Sequence, residues 1–304
     1  MRGKDGWLFF APELHALSRG RFWGEAAAAA SHASSPEYAD PLPAILDFKQ
    51  QLDTAGIELL FVPVPAKAAI YPDKLPGDDG QGRPEPGAAH REFYELLRRR
   101  GVQVLDLTSA FLHARAGADR PLFCRQDTHW SGAGCELAAA EIVRVLGRRP
   151  WMADLPVRSY TAVRREVEIT GDLWRILGDE TLARERLALT FVWDRQGGSD
   201  ATIRDWRESP VLLLGDSHNL VFHSGDDLHA RGAGLADHLA HLLGFPMDVV
   251  AVRGSGATPS RINLLRRRDN LGGKRIVIWC ISMREFTEGQ GWRKVPVLGP
   301  RSAR

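Results

Sequence analysis

In Val211-Leu212-Leu213-Leu214-Gly215-Asp216-Ser217 four branched apolar residues run directly into Gly-Asp-Ser. An unbroken apolar run closed by glycine and aspartate predicts a strand buried on both faces, as in a parallel sheet covered by helices on each side. Four further runs share this character: Ile57–Val64, Val102–Leu107, Asp248–Arg253 and Arg275–Ile281. Amphipathic stretches lie between them, at about 41–55, 88–100, 132–146, 228–244 and 259–270. Strands alternating with helices predict an α/β/α sandwich around a mostly parallel sheet. Residues 72–90, rich in Pro, Gly and Asp, read as a loop. Residues 150–208 break the alternation and read as an insertion, with candidate strands at 157–169 and 187–195, inside one domain spanning 1–304.

Composition narrows the function classes. The chain has 304 residues, 44% hydrophobic and 26% charged, which suits a folded domain with a large core. Forty basic residues against 38 acidic ones leave a net charge of +2. The arginine clusters 98–100 and 266–268 fall at expected helix ends, where cations complement the helix dipole, so no nucleic-acid partner is expected. Three cysteines, with no zinc-type spacing, permit one disulfide at most. No apolar run reaches the ~20 residues that span a bilayer. The opening Met1-Arg2-Gly3-Lys4-Asp5-Gly6-Trp7 lacks the apolar centre of a signal peptide.

Gly215-Asp216-Ser217 leaves the central strand at its carboxyl end, where sites form in open parallel sheets. A serine on that turn presents its hydroxyl at the sheet edge, with backbone N–H groups nearby for an oxyanion. Asp127-Thr128-His129-Trp130 precedes Ser131, the expected N-cap of the 132–146 helix. An Asp and a His two residues apart in a turn face one way, so the carboxylate can orient the imidazole that activates a serine. Alone, each motif is ordinary turn or capping chemistry; together they propose Ser217, His129 and Asp127 as a catalytic triad. Gly254-Ser255-Gly256-Ala257-Thr258-Pro259, between a strand and a helix, is a second source of oxyanion N–H groups, so Ser217, Gly254 and Gly256 form the expected oxyanion hole. Lys67, past a strand end, Trp130, able to stack on a sugar, and His218, at the site entrance, complete the expected substrate contacts. No metal and no cofactor is expected. The rival use of the same residues, two Asp-x-His pairs (Asp127/His129 and Asp216/His218) as ligands of a metal-dependent phosphoesterase, lacks further ligand segments.

These segments together resemble the alginate O-acetyltransferase family, AlgJ/AlgX-like SGNH domains. The resemblance rests on Gly3-Lys4-Asp5-Gly6-Trp7-Leu8-Phe9, Pro63-Val64-Pro65-Ala66-Lys67 with Ile70-Tyr71-Pro72, Asp127–Trp130, Gly171-Asp172-Leu173, Gly215–Ser217 and Gly254–Pro259. His218-Asn219 after the serine, and Cys280 after Trp279, depart from the family pattern. The resemblance implies an SGNH-like fold with the permuted triad order Asp–His–Ser and a ping-pong acetyl transfer through Ser217 to a polysaccharide acceptor. It also implies a membrane-bound O-acyltransferase as acetyl donor partner, and a periplasmic or otherwise extracytoplasmic location. A carbohydrate acetyl esterase and a non-catalytic polysaccharide-binding subunit are the other readings.

Overall fold

Five parallel strands form the central sheet: β1 (Glu58–Val64), β2 (Gln103–Val104), β5 (Val211–Gly215), β6 (Asp248–Ala251) and β7 (Ile276–Ser282), arranged β2-β1-β7-β5-β6. In the computed structural model, the described residues are 1–77, 87–117, 119–195 and 201–299.

Alternation along each strand divides the core in two, because successive side chains point to opposite faces. Leu60, Val62, Leu213, Ile276 and Ile278 join one core with Phe111, Ala138, Ile142, Leu235 and Leu239. Those last residues belong to the helices Thr108–Gly117, Gly132–Leu146 and Leu235–Leu243. Leu59, Phe61, Leu212, Leu214, Val277 and Trp279 join the other, with Ile45, Phe48, Leu52, Phe93, Leu97 and Leu264. These come from the helices Pro41–Ala55, Ala88–Arg99 and Thr258–Arg267. The result is the three-layer α/β/α sandwich that the sequence predicts.

Local chemistry sets the element ends. Asp40 accepts a hydrogen bond from Leu42 N at 2.9 Å, Pro41 opens the Pro41–Ala55 helix, and Gly56 ends it at φ +73°. The helix expected over 228–244 is shorter. Gly232 adopts φ +85°, and Gly234 caps the helix from outside, its N–H bonded to Asp237 at 2.9 Å. The chain therefore turns back over 224–231, with an isolated bridge between Ser224 and Arg231, before the helix begins at Leu235. Of the 72–90 loop, residues 78–86 lie outside the described residues, and the next helix starts at Ala88.

Inside 150–208, β3 (Tyr160–Ile169) and β4 (Glu185–Asp194) pair antiparallel into a ribbon separate from the main sheet. Residues 196–200 lie outside the described residues. The ribbon is not a free appendage. Leu187 and Leu189 pack into the core beside the Gly132–Leu146 helix, so closely that a Cβ on Gly132 would meet the Leu189 side chain at 2.8 Å. Cys124, Cys135 and Cys280 are all buried free thiols. No helix among the described residues is long and apolar enough to cross a membrane.

Candidate active site

Ser217 is the second residue after β5 and the first of a single 3-10 turn, Ser217–Asn219. Asp216 caps that turn: its Oδ1 accepts from His218 N at 2.9 Å, and its Oδ2 accepts from Ser282 N at 2.6 Å. Gly215 is obligatory here, since a Cβ would lie 1.8 Å from Cys280 O on β7. The serine is thus fixed by two neighbouring strand ends.

The partners come from the loop 122–131, which folds back on itself through Ser131 N to Leu122 O and Cys124 N to His129 O, at 2.9 and 3.1 Å. His129 Nε2 lies 2.7 Å from Ser217 Oγ, and His129 Nδ1 lies 2.6 Å from Asp127 Oδ1. Asp127, His129 and Ser217 are buried, the last two retaining 6% and 7% exposure. Burial alone would raise the Asp127 carboxyl and lower the His129 imidazole. Their mutual attraction and hydrogen bond reverse both, holding Asp127 well below the usual carboxylate range and raising His129 above 6.5.

Other groups hold this arrangement. Asp127 Oδ2 accepts from Asp172 N at 2.8 Å and contacts His229 Nε2 at 2.9 Å. Asp172 in turn accepts from Thr128 N and Thr128 Oγ1, at 2.8 and 2.5 Å. Gly171 lets these chains meet: a Cβ there would lie 2.1 Å from Gln126 O. Glu185, opening β4, accepts from Arg125 N and Gln126 N at 2.8 and 3.0 Å. The ribbon therefore grips the base-bearing loop at the end of β3 and the start of β4.

The expected substrate residues are placed differently. Lys67 is fully buried; its Nζ donates to Asp127 O at 2.5 Å and to Leu8 O at 2.9 Å, and burial lowers its pKa. It supports the loop from beneath and offers no exposed surface to a ligand. Trp130 is also buried, donating from Nε1 to His218 O at 3.0 Å. His218, 1% exposed, sits behind His129, with ring centroids 4.8 Å apart, and its Nδ1 faces Asp216 Oδ1 at 3.1 Å. All three are buried and make these contacts within the protein. Of the oxyanion glycines, Gly256 is pressed against the nucleophile turn, where a Cβ would lie 2.5 Å from Asp216 N; Gly254 sits in an exposed turn at φ +84° with open space around it.

Sequence reading missed His229 and Arg284, and gave Asp172 no role. His229 lies in the turn mistaken for helix, held at φ +76°. Arg284 follows β7 and is buried, with its charge acting on Glu13, Asp216, His129 and Glu285. Its place at a strand's carboxyl end was the available signal. Asp216 and His218 do not supply the second half of a metal pair. One Asp216 oxygen is bound by His218 N in the turn and the other by Ser282 N on β7, and the ligand atom that clusters with Asp127 and His129 among the described residues comes from Asp172.

Comparison with known proteins gives the family. The model of the SGNH hydrolase-like domain, acetyltransferase AlgX, matches residues 1–283. The chain belongs to this family. Among curated relatives, the probable alginate O-acetylase AlgJ of Pseudomonas aeruginosa is 29% identical over 236 residues, covering 71% of this chain and 54% of the relative. Its counterpart in Pseudomonas putida is 26% identical, covering 73% and 55%. The chain thus spans about half the length of these relatives. Among solved structures, the O-acetyltransferase domain of Pseudomonas putida AlgJ superposes with a TM-score of 0.67 at 21% identity, over 94% of this chain and 91% of that one. Pseudomonas aeruginosa AlgX gives 0.66 at 17%, over 100% and 67%. Both share the SGNH-like fold seen here.

Proposed function

We propose that this AlgX-family chain is an O-acetyltransferase that moves acetyl groups onto polysaccharide hydroxyls through Ser217. The observation that carries the proposal is the unbroken hydrogen-bonded line from Asp127 through His129 to Ser217 Oγ, with links of 2.6 and 2.7 Å. His129 Nε2 takes the Ser217 proton as Oγ attacks the acetyl carbonyl carbon. The C–O bond to the donor then breaks, and the donor oxygen leaves with the proton from His129. A sugar hydroxyl next gives its proton to His129 and attacks the acetyl-serine, which releases the acetyl ester and restores the Ser217 hydroxyl. The oxyanion in both steps is met by the Ser217 N–H and by the loop of Gly254 and Gly256, of which Gly256 has the closer packing to the nucleophile turn.

Relatives named probable alginate O-acetylases support a polysaccharide acceptor. The activity is extracytoplasmic, and a membrane-bound O-acyltransferase supplies the acetyl group. Water in place of the sugar hydroxyl makes the same machinery a carbohydrate acetyl esterase. The test is turnover of 4-nitrophenyl acetate by wild type, Ser217→Ala and His129→Ala, with and without an oligosaccharide acceptor, followed by intact mass. Turnover that needs both residues, with an acetyl adduct on Ser217, supports the mechanism; acceptor-dependent product separates transferase from esterase. Normal turnover in folded Ser217→Ala sinks the assignment.

A further inference from the structure

Two histidines and a glutamate converge where the N-terminal segment meets the chain after β7. His15 projects from the helix Ala11–Ser18, His32 follows the short helix Ala27–Ala30, and Glu288 ends the helix Glu285–Glu288. A backbone hydrogen bond of 2.7 Å, His32 N to Thr287 O, brings the second and third together. His32 Nδ1 lies 3.1 Å from the Glu288 carboxylate. His15 Nδ1 lies 3.4 Å from each of its two oxygens. The imidazole centroids are 5.1 Å apart, and the ligand-capable atoms of all three residues lie within 4.8 Å of one another.

Hydrogen bonding accounts for His32 but poorly for His15. Its distance exceeds the usual ~2.7–3.2 Å for N–H to O, and it is directed at neither oxygen in particular. A tetrahedral ion fits better. Bonds of about 2.0–2.1 Å to nitrogen and oxygen place neighbouring ligand atoms roughly 3.3 Å apart, between the two separations observed here. Two imidazoles and a carboxylate suit zinc and its first-row neighbours, and suit magnesium or calcium poorly.

We propose that His15 Nδ1, His32 Nδ1 and Glu288 form a site for a zinc-class divalent cation, distinct from the triad. The half-exposed histidine side chains, at 45% and 53%, leave remaining coordination positions to water. Arg19 Nη2 stands 3.4 Å from His32 Nε2. A metal on Nδ1 fixes Nε2 as an N–H donor, so the guanidinium turns away on loading.

The site joins the two supports of the candidate active site. The Ala11–Ser18 helix carries Glu13, whose carboxylate accepts from Lys67 N at 3.1 Å, and Lys67 holds the carbonyl of Asp127. The Glu285–Glu288 helix carries Glu285, which accepts from Ser255 Oγ in the glycine loop at 2.6 Å. An ion bridging these helices clamps the base-bearing side to the oxyanion side.

The test is calorimetric titration of chelator-stripped, desalted protein with zinc chloride, alongside melting temperature with and without zinc. Wild type, His15→Ala, His32→Ala and His129→Ala are compared, with Glu288→Gln as a volume-preserving check should either alanine variant melt low without metal. The expected result is one saturable equivalent in wild type and in His129→Ala, weakened about tenfold or more in His15→Ala, His32→Ala and Glu288→Gln. Zinc should raise the melting temperature only where that equivalent binds. Absence of a saturable equivalent in wild type overturns the proposal. So does uptake that survives His15→Ala and His32→Ala, or uptake lost with His129→Ala.

Discussion

The two halves of the candidate triad are held by different physics. Ser217 stands on β5, where Val211, Leu212, Leu213 and Leu214 are each 0% exposed and the flanking strands supply backbone bonds on both sides. Asp127 and His129 stand on a loop with no place in the sheet, and polar contacts from Lys67, Asp172, Glu185 and His229 fix it. Hydrophobic burial is non-directional and spread over many atoms, whereas each polar contact is directional and costly to leave unmade. The nucleophile is therefore robust in position. The base depends on a few named groups, several of them from the β3–β4 ribbon and its connections.

That contrast can be broken by substitution. Ser217→Ala removes the chemistry itself and should cut turnover by at least about a thousandfold, at an unchanged melting temperature. Leu213→Ala strikes the sheet and should lower unfolding free energy by about 2–5 kcal/mol, read from denaturant melts, while turnover per folded molecule stays near wild type. Asp172→Ala strikes the loop instead. It removes both hydrogen bonds that Thr128 donates to the Asp172 carboxylate, and should reduce turnover of 4-nitrophenyl acetate by up to about a hundredfold with a smaller stability loss than Leu213→Ala. If Asp172→Ala lowers stability more than turnover, the loop is part of the core and the contrast fails.

The smallest effect is in pH. His129 acts as a base only when neutral, and its pKa is raised above 6.5, so turnover should climb with pH through a midpoint above that value. Burial lowers this pKa, and Asp127→Asn removes the carboxylate charge that does most to offset that burial, leaving the weaker pull of Asp172. Histidine titration followed by NMR should then show the His129 midpoint at lower pH in Asp127→Asn than in wild type. An unmoved midpoint would mean that Asp127 orients the ring without stabilising its charge.

The sheet was legible because its signal is local. Val211–Gly215 is apolar without a break, and the strand ends differ from expectation by a few residues, as at β2, which shrinks to Gln103–Val104. The serine and the Asp-x-His pair were legible because both sit at element boundaries. What escaped was long-range. His229 reaches Asp127 across 102 positions, and Leu228, Leu235, Leu239 and Leu242 mimic one continuous helical face that Gly232 and Gly234 interrupt. Lys67 read as a substrate contact past a strand end, since nothing near it in sequence announces the carbonyls of Leu8 and Asp127, 59 and 60 positions away, that line its socket. The ribbon's role was hidden in the same way: Glu185 and Asp172 read as ordinary charges until the loop they bind is in place.

The strand order has a consequence for how the molecule comes into being. β7, the last strand of the sheet to be synthesised, lies between β1 and β5 and pairs with both. Until residue 282 has left the ribosome, β2-β1 and β5-β6 are two separate pairs with raw inner edges, and Asp216 lacks the Ser282 N–H that steadies the nucleophile turn. A nascent chain therefore carries its serine, histidine and aspartate for many seconds of translation without the central plank that aligns them. Its exposed edges in that interval are the places where a chaperone has most to cover.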